Sequence, residues 1–259
     1  VITADRQPLV WHDPTVVGEK CADTTPSFPD DPQFPYVGKR VHDLTLAQLR
    51  TLDCGRPLAE FPTAHVVPHN TIATLPEVFG LVAAYRADVR FNIETKVEAD
   101  RPDASASPRE FVEVILAAIR AADLVDRVDV QSFDWRILPL VRQTEPAIRL
   151  VALWDDATWR PGSPWLAWID PAVVGDPLLG AKLVGADVAA PEHDTVDRPL
   201  VQRAHALGLT VIPWTVNDAD AMAALIGDGV DGMITDYPTR LRRVMDGLGM
   251  ALPSAYRRG

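Results

Sequence analysis

The stretch "FNIETK" places Asn92, Glu94 and Lys96 at alternate positions. Residues two apart on a strand project from the same face, so a carboxylate and an ammonium group share one side, and Phe91, Ile93 and Thr95 take the other. The apolar side is expected to meet covering helices. That leaves the charged side facing inward, where charges must be paired or bind something. Two readings stand: a structural Glu–Lys pair, or a metal-ligand carboxylate at Glu94 beside a phosphate-binding Lys96, with oxygen ligands suiting Ca2+ or Mg2+. Four lysines against twenty-one arginines single out a lysine in this position.

A second place for chemistry is "PLVWHDPT", where His12 ends an apolar run and precedes Asp13-Pro14. Histidine can accept and return a proton near neutral pH, whereas Asp-Pro alone signals a turn. His42, His65, His69, His193 and His205 have weaker claims; His205 falls mid-helix and reads as packing, and His65 and His69 as residues that could line a cleft. Trp214 in "PWTVND" and Phe133 in "VQSFD" end strands. Aromatic rings there either pack the core or form a platform for a ligand. Ser132 has no GxSxG around it and reads as structural.

The elements that would carry these residues alternate from residue 74 onward. Helices are predicted at "TLPEVFGLVAAY", with a Thr74/Glu77 capping box and a Val78, Leu81, Val82 face, and at "SPREFVEVILAAIRAAD", with a Ser107/Glu110 box and a Val112, Ile115, Leu116, Ile119 stripe. Further helices are predicted at "DWRILPLVRQ", "DRPLVQRAHALG", "NDADAMAALIGDG", where Asn217 can cap, and "PTRLRRVMDGL". Between them lie six strand patterns, the last being "VDGMITD", at spacings suited to parallel βαβ units. No GxGxxG follows a strand, which argues against a dinucleotide site. Polar and aromatic residues recur at strand C-terminal ends, where a β/α barrel keeps its active site. Residues 13–73 read as a loop-rich, Pro-containing excursion on that face, with a short helix in "DLTLAQLRTLDCG" capped by Thr45 and Gln48.

The 259 residues carry a net charge of −11, which leaves no electrostatic footprint for nucleic acid. A phosphate ester would need a local cation. No apolar stretch has the length of a membrane span, and nothing points to a protein partner. Cys21 and Cys54 fit either a disulfide or two reduced small residues.

Seven segments taken in order carry a resemblance: "ITADRQPLVWHDPT", "DLTLAQLRTLDCG", "ATLPEVFGLV", "FNIETK", "VQSFDW", "VIPWTVND" and "GVDGMITDYP". Together they resemble the glycerophosphodiester phosphodiesterase family from Val1 to about residue 245. The resemblance implies a (β/α)8 TIM barrel with an insertion after the second strand, and Ca2+- or Mg2+-dependent hydrolysis of glycerophosphodiesters to glycerol 3-phosphate and an alcohol. It implies His12 as one of two catalytic histidines, Glu94 as a metal ligand, Lys96 as a phosphate contact, and Trp214, with Phe133 nearby, as substrate wall. The family's opening His-Arg-Gly and Pro-Glu-Asn-Thr motifs do not occur in residues 1–259, and no Glu-x-Asp precedes His12. The expectation is therefore one incomplete, N-terminally truncated barrel domain over 1–259, with 13–73 inserted in it. The expected missing piece is on the order of 40 residues, and the chain alone is expected to be inactive. Two other functions are weighed: a degenerate barrel kept as a binding module, and a phosphodiesterase of the lysophospholipase D or sphingomyelinase D kind. The cysteine pair and the metal-site chemistry lean toward an extracellular or periplasmic protein, the compartment being otherwise open.

Overall fold

A computed structural model describes residues 1–257. The helices in chain order are α1 (Leu46–Leu49), α2 (Leu75–Ala84), α3 (Pro108–Ala121), α4 (Ile137–Thr144), α5 (Pro171–Val174), α6 (Pro177–Leu183), α7 (Arg198–Ala206), α8 (Ala219–Asp228) and α9 (Pro238–Gly247). The strands are β1 (Phe91–Thr95), β2 (Val128–Ser132), β3 (Arg149–Trp154), β4 (Val188–Pro191) and β5 (Thr210–Val211). The chain divides into two compact units, one of Val1–Ala87 with Lys96–Leu124, the other of Asp88–Thr95 with the residues from Val125 onward.

The first unit is held together mostly by turns and single bridges. Ile2 pairs with Pro8 and Leu9 with Thr74, each antiparallel, so the two expected N-terminal strands are isolated bridges closed by a turn at Arg6 (φ 59°). The excursion builds its own core from Val16, Tyr36, Val41, Leu44, Leu49 and Leu52, all buried. A Cys21–Cys54 disulfide crosses that core, beside the antiparallel bridge Ala22–Asp53. Asp31 is its polar hub: the carboxylate accepts hydrogen bonds from Tyr36 Oη (2.6 Å), Gln48 Nε2 (2.9 Å), Gln33 N (2.8 Å) and Ser27 Oγ (3.1 Å). Burial opposes its charge, and these donors outweigh burial, holding the carboxyl down at about 2.

The capping boxes at Thr45/Gln48 and Thr74/Glu77 form in both directions; at α3 the Ser107 side chain accepts from Glu110 N. The α3 stripe is buried as expected, with Phe111 and Val114 added to it. On α2 the buried side chains are Leu75 and Phe79, not the expected Val78, Leu81 and Val82, and Leu81 is 55% exposed. Positions 75 and 79 lie one turn apart on one face, and a residue two beyond Phe79 falls on the opposite side of the helix.

In the second unit the five strands form one sheet in the order β1-β2-β3-β4-β5, every neighbouring pair parallel. The parallel α/β architecture is the expected one. β2 and β4 are buried throughout, as strands of a parallel sheet should be. The sixth strand does not form. Residues 231–234 do lie beside β5, with Asp231 N donating to Val211 O (3.0 Å) and Ile234 N to Pro213 O (2.9 Å). Pro213 has no N–H to return, and the return bond comes only from Val216 N to Ile234 O (2.8 Å), so no continuous ladder forms. Helix α8 is capped by Asp218, whose side chain accepts from Asp220 N and Ala221 N. Asn217, the expected cap, instead donates to Asp236 Oδ2 (2.8 Å) and accepts from Asp236 N (3.0 Å). Among the described residues no helix is long and apolar enough to cross a membrane.

Candidate active site

The first unit brings together two of the sequence-predicted residues. Lys96, one residue beyond β1, places Nζ 2.8 Å from His12 Nε2. An ammonium group can only donate, so Nε2 accepts and the imidazole proton belongs on Nδ1. That nitrogen faces Asp13 Oδ1 at 3.3 Å. Asp13 Oδ2 in turn accepts from Lys20 Nζ at 2.6 Å, and the same ammonium stands 5.5 Å above the Trp11 ring. Burial opposes the charge on Asp13; Lys20 and then His12 outweigh it and hold the carboxyl below its ordinary value. The His12 side chain is 70% exposed, open to a ligand.

The second unit holds the other three. Glu94 on β1 stands in register opposite Gln131 on β2, its Oε1 sequestered from solvent. Asn92 Nδ2 donates to Gln131 Oε1 (2.6 Å), so Asn92, Glu94 and Gln131 share one face of the sheet. The same face continues as Val151, Leu153, Val188 and Ala190, capped by Phe133, Ile212 and Trp214. The Phe133 and Trp214 rings meet edge to face at 5.2 Å between centroids, and Trp165 joins Phe133 at 6.5 Å. Trp214 Nε1 donates to Ala190 O (2.8 Å), which fixes the indole. On the other face Thr95 Oγ1 donates to Ser132 Oγ (2.8 Å), the structural role expected for Ser132.

A Ca2+ or Mg2+ ion needs several oxygen ligands. Among the described residues no group of three or more His, Cys, Asp or Glu side chains could hold a metal. Glu94 is one carboxylate, and these residues by themselves do not fit such an ion.

The other histidines do other things. His205 Nε2 meets Asp231 Oδ2 at 2.8 Å, a polar contact rather than the expected packing. His42 Nδ1 is 3.3 Å from Ile2 O, and His69 stands beside Asp53 at 3.2 Å. His65 lines a cavity of about 260 Å³ in the excursion, with Arg56, Phe61 and Val67 among its walls. Asp13 was read as part of His-Asp-Pro and Gln131 as a polar residue at a strand end, neither with a partner; Lys20 was missed, and the scarcity of lysine was the signal that could have found it.

The fold is α/β, of TIM-barrel type. A candidate glycerophosphoryl diester phosphodiesterase from Silicibacter pomeroyi DSS-3 superposes with a TM-score of 0.81 at 26% identity, over 98% of this chain and 83% of that one. An Oleispira antarctica phosphodiesterase, solved with its product sn-glycerol-3-phosphate, has a TM-score of 0.67 at 17% identity, over 95% of this chain and 82% of its own. In sequence, the glycerophosphodiester phosphodiesterase of Caldanaerobacter subterraneus is 27% identical over 78% of this chain and 71% of its own length. That of Bacillus subtilis is 24% identical over 80% of this chain and 66% of its own length. The chain belongs to the glycerophosphoryl diester phosphodiesterase family, whose sequence pattern matches residues 1–240. It is thus a member of a family of phosphoric diester hydrolases.

Proposed function

We propose that the chain contributes to hydrolysis of glycerophosphodiesters to sn-glycerol 3-phosphate and an alcohol. The observation that carries this reading is the 2.8 Å contact between Lys96 and His12 in a member of the family. A phosphodiester is a permanent anion, and an ammonium group beside it offsets charge that grows as the phosphorus becomes five-coordinate. Before substrate arrives that ammonium covers the Nε2 lone pair. A phosphate oxygen drawing Lys96 toward itself would uncover Nε2, leaving a neutral imidazole free to take a proton from an attacking hydroxyl or, once protonated, to return it to a leaving alkoxide. Within the second unit, the edge-to-face pair of Phe133 and Trp214 is of the kind that packs against the apolar face of a ligand.

Dependence on Ca2+ or Mg2+ belongs to this proposal, with Glu94 as a single ligand. Since the described residues do not supply the rest, no step is assigned to the metal. A one-histidine site also lacks the second proton carrier that paired acid–base transfer requires. The chain assayed by itself, with either ion, is therefore proposed not to turn over glycerophosphocholine.

Titration of the chain with sn-glycerol 3-phosphate, followed by 1H–15N spectra, tests the reading. Binding that shifts the His12 ring signals and is lost in Lys96→Met is expected. No binding by the unaltered chain, or unchanged binding in Lys96→Met, would overturn it. Release of glycerol 3-phosphate by the chain alone would overturn the inactivity.

A further inference from the structure

His12 would act through its orientation as well as its proton, and the structure shows what holds it. The ring is exposed and contacts the rest of its unit through polar groups at both nitrogens: Lys96 at Nε2 and Asp13 at Nδ1. Asp13 is itself held by Lys20, seven residues on, through a 2.6 Å contact. Lys20 immediately precedes Cys21, which is tied to Cys54. Its backbone is fixed as well, with Lys20 N donating to Val17 O (3.0 Å) and Cys21 N to Val17 O (2.9 Å). The carboxylate is thus anchored from the disulfide-bonded side of the excursion, not merely carried by the loop that carries His12.

We infer that Asp13 is a positioning residue for His12, with Lys20 as its anchor: the pair fixes the imidazole in the Nδ1–H tautomer, so that Nε2 is the nitrogen that exchanges protons with substrate. The inference rests on the acid–base role proposed for His12 and adds to it which nitrogen works and what selects it. A neutral imidazole has one donor and one acceptor nitrogen. An anionic acceptor at Nδ1 retains the proton there, because a hydrogen bond to a charged group is stronger than one to water. Lys20 keeps that acceptor ionised and aimed. Without Lys20, Asp13 Oδ2 would turn to solvent and the ring would lose its fixed partner.

The test reads the tautomer directly and needs no catalysis. Ring 15N signals of the 259-residue chain are recorded well above the titration range of histidine, with the His12 resonances identified by their loss in His12→Gln. The unaltered chain is expected to show Nδ1 protonated and Nε2 bearing the lone pair. In Asp13→Ala the ratio of Nδ1–H to Nε2–H forms should fall about three- to tenfold, the discounted size of one charge-assisted hydrogen bond at an exposed site. Lys20→Met should give a smaller fall in the same direction, and Lys20→Arg should restore it. A chain with Nε2 protonated, or a ratio unchanged in both Asp13→Ala and Lys20→Met, would overturn the inference. Should Asp13→Ala fail to fold, the Lys20→Met and Lys20→Arg pair decides alone. Failure of the phosphate titration with an intact tautomer would sink the proposed function and leave this arrangement standing. The reverse pattern would sink only the arrangement.

Discussion

Lys96 Nζ and His12 Nε2 lie 2.8 Å apart, an ammonium group held against an imidazole nitrogen although 84 residues separate the two in sequence. The contact competes with phosphate for the same ammonium group. Inorganic phosphate or sn-glycerol 3-phosphate should therefore move the His12 ring signals, while Lys96→Met should weaken binding about tenfold or more, the loss of a charge-assisted hydrogen bond. Isothermal titration of both chains checks the ratio. Equal affinities would mean that Lys96 does not hold the phosphate.

Trp214 joins the Phe133 ring to the backbone of β4 through the bond from Nε1 to Ala190 O. Trp214→Ala removes a half-buried indole, its aromatic partner and a hydrogen bond together. A loss of about 2 kcal/mol is expected, below the range for a fully buried ring. Trp214→Phe should recover part of it. Urea unfolding monitored by circular dichroism measures both, and an unchanged midpoint in Trp214→Ala would show that the ring is only a surface platform.

The Cys21–Cys54 bond closes a loop with a sequence separation of 33. Chain-entropy arguments put its contribution at about 3–4 kcal/mol. Reduction, or the double change Cys21→Ser with Cys54→Ser, should lower the melting temperature by roughly 10 °C. Because the excursion belongs to the first unit, the loss should appear first in signals from Tyr36 and its neighbours.

Asp31 makes stability depend on acid. Its carboxyl is held at about 2 in the folded chain, below the ordinary unfolded value of about 3.9. A depressed folded value means that the contribution is fully present above the unfolded value and is lost as pH falls toward the folded one. Thermal melts between pH 5 and pH 2 should show a decline that flattens in Asp31→Asn, whose melting temperature should already be lower at pH 7. Identical acid profiles would remove Asp31 from its place as the hub of the excursion.

The sequence was most readable where local chemistry decides the outcome. Thr45 with Gln48 and Thr74 with Glu77 cap helices by contacts within four residues, β1 and β2 announce themselves by alternation, and β3 by a dense apolar run. It was less readable where a single backbone group decides: "VDGMITD" looks like a strand, yet Pro213 in its neighbour leaves a donor missing. Asn217 and Asp218 are both good caps by type, and their order along the chain does not reveal that Asn217 is engaged by Asp236. At the site, His12 and Lys96 were legible as types but not as a contact, because nothing local links positions 84 apart. Asp13 was read as a turn former, since its partnership with Lys20 appears only once the excursion has folded.

The cross-link has one more effect, on what a protease would reveal. Residues 24–30 are largely exposed and lie inside the loop closed by Cys21 and Cys54. A nick in that stretch leaves both pieces covalently joined, each still holding part of the buried cluster of Val16, Tyr36 and Leu49. The clipped protein would run as an intact chain on a non-reducing gel and separate only when thiol is added. An apparently undamaged preparation could therefore carry a hidden break a dozen residues from His12.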